Sequence, residues 1–242
     1  MTVKEHYDFH LGNFYSWMLG DFAARQLEQQ AYFAQRGITD GSNKLAIDLG
    51  AGHGIQTIAL AKLGYRVMAV DFNKQLLLEL SSRKANFNVE IIEEDFLLFL
   101  RNLKKQATLI VCMGDTVTHL ANMSSVSELI REVERILEPG GKIVFSFRDL
   151  STELKEERRF IHVKSDDTRI LTCFLEYFSD HVMVHDILYE KQNNAWVQKV
   201  SAYPKLRLSE KTITNLLSDH NLKIIKSETI NGMTHLIGQK SY

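Results

Sequence analysis

Apolar positions set the frame of this 242-residue chain. A run of Leu45, Ala46 and Ile47 ends in Asp48 and three alternating glycines, Gly50, Gly52 and Gly54. Helical spacing follows in Ile55, Ile58, Ala59 and Leu63. From there strand and helix alternate. Strands are predicted at 44–49, 65–71, 88–93, 107–113 and 140–147, and helices at 54–63, 73–84, 95–103 and 123–137. The near-continuous apolar runs at 108–113 and 142–147 suit parallel strands covered on both faces. These segments predict a doubly wound α/β core over 44–150.

On either side of the core the texture differs. Over residues 1–40, Tyr15, Met18, Leu19, Phe22, Leu27, Ala31 and Phe33 recur at helical spacing, with Gly20-Asp21 as a joint and Gly37 as a stop. This predicts a helical segment that either covers a sheet edge or, with its many aromatics and Arg25, closes a site as a lid. Segments 160–164, 169–178, 182–189 and 196–206 alternate like antiparallel strands, with turns at 165–167, 179–180 and 193–194. They predict an antiparallel β insert over 158–206. A helix started by Ser209 and two strands, 222–229 and 233–239, turning at Asn231-Gly232, complete the chain over 207–242. With no repeats or flexible linkers, the expectation is a single domain over 1–242.

Composition narrows the class. A formal net charge of -1 gives no footprint for nucleic acid. No apolar run approaches the ~20 residues of a membrane span, and the first residues lack the halves of a signal peptide. Two cysteines, Cys112 and Cys173, make no disulfide framework and are expected to be buried thiols. A cytoplasmic protein is the expectation. Histidine spacing suggests no metal site, since His6 and His10 stand four apart with nothing to complete a set.

The chemistry concentrates around the glycine turn. Glycines between a strand and a helix let the main chain take positive φ and let a ligand lie on it, and the open amides of the helix favour a polar or anionic group. Gly50-x-Gly52 is followed by Ile55 where the dinucleotide fingerprint has its third glycine, so Gly54 comes one position early. Asp71 closes the next strand about twenty residues on, where an acid grips ribose hydroxyls or, alternatively, caps the helix that starts near Asn73. Asp95-Phe96 after the third strand likewise stands where an acid can cap the helix that follows. Asp115, Thr116 and His119 follow the fourth strand and Arg148 ends the fifth, at the carboxyl edge where open α/β sheets bind ligands. Arg148 offers a fork for a carboxylate or a partner for Asp149 or Glu153. His53 reads as a spacer in the turn.

Asp48-x-Gly50-x-Gly52-x-Gly54 with Asp71 resembles the class I S-adenosylmethionine-dependent methyltransferases. More narrowly, Tyr15-Ser-Trp-Met-Leu-Gly-Asp21 with Arg25, Ile92-Glu-Glu94, Met113-Gly114 with His119-Leu120, Phe147-Arg148 and Tyr203-Pro204 resemble the glycine N-methyltransferase type. The resemblance implies a Rossmann-like, mostly parallel seven-stranded sheet with an N-terminal lid. It implies S-adenosyl-L-methionine as cofactor and S-adenosyl-L-homocysteine as product. The cofactor would be held by Asp48, Gly50, Ala51 and Gly52 in the turn, and by Asp71 and Phe72 at the second strand. Asp95 and Phe96 would meet the adenine, with Met113 nearby. Tyr15 would lie over the cofactor and Arg25 would bind its methionine carboxylate. Arg148, with Tyr203 and Thr116, would face the methyl acceptor, and His119 and Asp115 are the candidates for proton transfer and positioning. Asp115 stands where that family has asparagine, which puts glycine as the acceptor in doubt.

The function expected is methyl transfer to a small molecule, an amine or amino-acid nitrogen, by in-line displacement. A nicotinamide-dependent oxidoreductase and a non-catalytic S-adenosylmethionine-binding domain are the competing readings. Neither nucleic acid nor membrane is an expected partner, and the oligomeric state is open.

Overall fold

The computed structural model describes residues 1–39, 41 and 44–242. Asp40, with which the predicted N-terminal segment ends, lies outside the described residues. Core strands β1 (Leu45–Leu49), β2 (Arg66–Asp71), β3 (Val89–Glu93), β4 (Ala107–Cys112) and β5 (Leu137–Phe147) are parallel. Helices α4 (Ile55–Lys62), α5 (Lys74–Arg83), α6 (Phe96–Asn102) and α7 (Met123–Ile136) connect them. Helix α8 (Glu210–Asp219) leads into the hairpin β10 (Leu222–Ile230) and β11 (Met233–Lys240), which adds to the edge with β11 antiparallel to β5. The seven-stranded order is β10-β11-β5-β4-β1-β2-β3. Strand order therefore reverses between β1 and β4, and the carboxyl ends of these strands mark the crevice position where open α/β sheets take their ligands.

Local chemistry explains these boundaries. Asn73, Asp95, Asn122 and Ser209 each accept a main-chain N–H from the first turn of α5, α6, α7 and α8. Asn231 (φ +50°) and Gly232 (φ +73°) form the tight β10–β11 turn, and the left-handed pair matches the twist of its strands. Strands β1 and β4 are buried almost throughout and fill the middle of the core with Ile47, Leu49 and Ile110. In the core one boundary moves by more than a residue: β5 starts at Leu137, because Leu137 already pairs with Ala107 and the following Pro-Gly-Gly is taken up as an irregularity in the ladder.

The insert is a separate antiparallel sheet, β6 (Phe160–Ser165), β7 (Arg169–Tyr177), β8 (His181–Gln192) and β9 (Ala195–Leu206), paired in that order. Pro204 is tolerated because β9 is an edge strand. Leu175, Val182, Val184 and Tyr203 cluster on one face with Leu150. Cys173 is half buried there and donates to Asp186, while Cys112 is buried in β4.

The N-terminal segment divides in two. Helices α2 (Tyr15–Leu19) and α3 (Phe22–Gln35) fall where the apolar spacing predicts them, and α3 packs on α4 with Phe33 fully buried. A further helix, α1 (Val3–Phe9), precedes them. Its signal is a capping box, Thr2 with Glu5, each side chain meeting the other's main-chain N–H. Helix α1 bridges the two sheets: His6 reaches the insert, while Asp8 accepts from Asn73 Nδ2 of the core at 2.8 Å. No helix among the described residues is long and apolar enough to cross a membrane.

Candidate active site

The glycine turn is built from the main chain outward. Gly50, Gly52 and Gly54 all have positive φ (+71°, +51° and +98°), which a side chain would strain. A Cβ on Gly50 would stand 2.4 Å from Thr116 Oγ1, so the turns after β1 and β4 touch where the strand order reverses. Gly50 and Ala51 donate their N–H groups to Val70 O of β2, which fastens the turn to the neighbouring strand. Gly54 precedes α4 without a side-chain cap.

Two carboxylates frame this turn. Asp71 Oδ2 accepts from Gly52 N and Oδ1 from Asn73 N, both at 2.8 Å. The capping alternative for Asp71 does not hold, because Asn73 itself caps α5 through Leu76 N. Burial raises the Asp71 pKa, opposed by these amides. Asp48 is buried in β1 and accepts from Thr57 Oγ1 at 2.6 Å; burial pushes its pKa up to about 7. His53 is enclosed edge-on between Tyr15 and Phe22, and burial with Arg83 nearby lowers its pKa to about 4.

Other predicted cofactor residues take varied positions. Tyr15 lies against Gly52, 3.8 Å from where a Cβ would stand. Phe72 meets the edge of Tyr7, a residue of α1. Met113 is buried at the end of β4, touched by Gln29 of α3 at 3.7 Å. Arg25 stands one turn before Gln29 on the same helical face, half exposed, and pairs with Glu28 at 3.3 Å. Asp95 is exposed and caps α6 through Leu98 N, and Phe96 is buried in the main core.

Across the crevice, Asp115 is a buried carboxylate with φ +74°, a conformation unusual for a residue other than glycine. Its Oδ1 accepts from Arg148 N at 2.7 Å, and its Oδ2 accepts from the Arg148 guanidinium and from Lys205 Nζ at 2.9 Å. Arg148 therefore pairs with Asp115; of the alternatives, Asp149 bonds Ser151 and the N–H of Glu210, and Glu153 pairs with Arg207. Burial would raise the Asp115 pKa, but Lys205 and Arg148 more than offset it and hold it well below the carboxylate range.

His119 lies beside this group in a short 3₁₀ turn that also contains Thr116. Its ring meets Tyr7 and Tyr203 edge-on, each 5.7 Å away between centroids. Its Nε2 is buried without a hydrogen-bond partner among the described residues. Burial, with Lys205 close by, lowers its pKa to about 3, so the ring is neutral near pH 7. Tyr203 stacks on His6 at 4.0 Å, and Lys205 lies over its ring. His6 Nδ1 shares a hydrogen bond with Ser201 Oγ at 2.8 Å, and its Nε2 lies 3.1 Å from Asp186 Oδ2.

Tyr7, Lys205 and His6 escape the sequence prediction. Lys205 had a signal, since residues two apart on a strand share a face and Tyr203 was already singled out. His6 and Tyr7 had none beyond the capping box that starts their helix.

Residues 46–141 match the family model described as a methyltransferase domain, and the fold is similar to that of solved S-adenosylmethionine-dependent methyltransferases. The residues of the turn fit the cofactor: a main chain uncrowded at Gly52, Asp71 held at the strand end, and a first turn of α4 without a side-chain cap. Among relatives, the chain is 35% identical over 100 residues to a cypemycin N-terminal methyltransferase of Streptomyces sp, covering 40% of this chain and 39% of that one. It is 26% identical over 175 residues to a glycine N-methyltransferase of Mus musculus, covering 64% and 59%. The chain thus spans between 39% and 59% of the curated relatives it matches. The CcbJ methyltransferase from Streptomyces caelestis shares the fold with a TM-score of 0.74 at 15% identity, over 100% of this chain and 97% of that one.

Proposed function

We propose that the protein transfers a methyl group from S-adenosylmethionine to the nitrogen of a small amine or amino-acid acceptor. The observation that carries this reading is the neutral, unpartnered His119 Nε2 beside the charged Asp115–Arg148–Lys205 group, across the crevice from the glycine cradle. Bound S-adenosylmethionine supplies a methyl group on a sulfonium, already activated for in-line displacement by a lone pair. Asp71 would hold its ribose and the amides around Gly52 its amino-acid end; Tyr15 and Tyr7 would exclude water.

On the acceptor side, Arg148 keeps guanidinium N–H groups free for a carboxylate because 56% of its side chain is exposed. His119 Nε2, neutral and without a partner among the described residues, would accept a hydrogen bond from the amine once its ammonium proton has gone to solvent, and so aim the lone pair at the methyl group. The names of two relatives, acting on glycine nitrogen and on an N-terminus, support nitrogen as the receiving atom.

Release of S-adenosylhomocysteine across a panel of amines, amino acids and phenols tests the proposal. Turnover confined to amine-bearing acceptors is expected. Turnover confined to phenols would overturn the choice of atom, and tight cofactor binding without any acceptor would favour a non-catalytic role.

A further inference from the structure

The insert sheet carries apolar side chains on both faces: one face is buried, and the other interleaves them with His162, Thr172, His185 and Gln198 and stays partly exposed. Along β8, Val182, Val184 and Leu188 point inward and are buried, while Met183, Ile187 and Tyr189 occupy the alternate, outward positions. The register continues this outward face across the sheet, joining Phe160 to Phe174 on β7 and Ile187 to Val200 on β9. Phe160 and Val200 are each 56% exposed and Trp196 47%. An antiparallel sheet with one wet face normally alternates apolar with polar residues, and strands apolar on both sides belong to sheets covered on both.

We infer that this outward face is an interface, and that its occupant is a second copy of this chain packed sheet against sheet. The inference is independent of the methyl acceptor. Three features select that occupant. The apolar positions of the face, Phe160, Phe174, Ile187 and Val200, run across all four strands instead of along one, so a second sheet matches them better than a helix or single peptide strand. Four strands of these lengths give it an area on the order of 600 Å² in projection, near the ~800 Å² per partner of stable assemblies.

Charge provides the third feature. A two-fold interface brings each patch against itself, so unpaired like charges on it would repel. Two charged groups of this face are engaged within one chain: His185 Nε2 lies 3.0 Å from Glu176 Oε2, and the Arg159 guanidinium sits over the Phe174 ring, while Lys191 shares the face at the end of β8 opposite Trp196. The two sheets would stack about 10 Å apart. Strand β9 then carries the acceptor-side groups Tyr203 and Lys205 on one face and the dimer contact on the other.

Sedimentation and light scattering of the full chain, from about 1 to 100 μM, test this. A species of twice the 27.8 kDa chain mass is expected. Val200→Glu and, separately, Trp196→Ser should each shift the dimer to monomer, with at least a tenfold weaker self-association and an unchanged circular dichroism spectrum. Leu78→Glu, an exposed apolar position on α5, should leave the dimer intact. A monomer throughout the range would overturn the inference, as would a dimer that survives both β9 substitutions. So would a wild-type monomer that binds phospholipid vesicles, since a lipid surface would then be the occupant.

Discussion

Asp115 holds Arg148 at both ends, its Oδ1 taking the main-chain N–H and its Oδ2 the guanidinium. The loop after β4 is thereby tied to the end of β5, and Lys205 of the insert joins the same oxygen. One carboxylate thus fastens three segments of chain around the crevice. Replacing it by alanine leaves an almost buried ammonium without its partner. Asp115→Ala should cost on the order of 3 kcal/mol in urea unfolding. Asp115→Asn, which keeps the acceptor for Arg148 N, should cost clearly less.

The contact between Gly50 and Thr116 makes a sharper test of the turn. Gly50→Ala would drive a methyl group into Thr116 and strain a positive φ. Calorimetry should show S-adenosylmethionine affinity lost by more than tenfold. Adding Thr116→Ala removes the two closest atoms of the collision but not the strain, so the double variant should recover part of the affinity and no more.

Asp71→Ala removes the carboxylate expected to take the ribose hydroxyls and frees the amides of Gly52 and Asn73. A loss of about 1.5–3 kcal/mol in S-adenosylmethionine binding is the expected outcome, a ten- to hundredfold rise in Kd. An unchanged Kd would remove Asp71 from the cofactor's grip.

His119→Ala should lower kcat by about a hundredfold with little effect on S-adenosylmethionine affinity, because the ring would no longer orient the acceptor's lone pair. The readout is kcat against pH for the variant and the wild type. An unaltered profile and rate would leave His119 as packing for Tyr7 and Tyr203.

Acid should destabilise the fold early. His53 and His119 are held neutral, with pKa values of about 4 and 3 against about 6.5 in the unfolded chain. The unfolded state therefore binds these protons first as pH falls below 6.5, and stability declines until the folded values are reached. Asp48 works in the opposite sense. Its folded pKa of about 7 favours folding below about 4 and loses that contribution as pH rises through 7. Asp48→Asn should remove the loss on the alkaline side, a gain on the order of a few kcal/mol in urea melts at pH 8.

The alternating core was readable because a buried parallel sheet writes itself as short apolar runs parted by helical spacing. Capping residues and the Asn-Gly turn added the boundaries. The glycine turn bonded to Asp71 was readable too, since a main chain that takes positive φ at three alternate residues dictates glycine position by position. The acceptor side was not. The Asp115–Lys205 pair joins groups 90 residues apart, and no local pattern encodes a contact made only when the insert folds back over the core. For Asp95 the capping alternative is the contact that the structure contains.

The groups framing the glycine turn come mainly from one continuous stretch, 48 to 71, whereas Tyr7, His119, Tyr203 and Lys205 come from three distant parts of the chain. The two ends of the crevice can therefore diverge independently. In the proposed reading, exchange of the last insert strand should alter which molecule is accepted, while the stretch from 48 to 71 keeps its purchase on the donor.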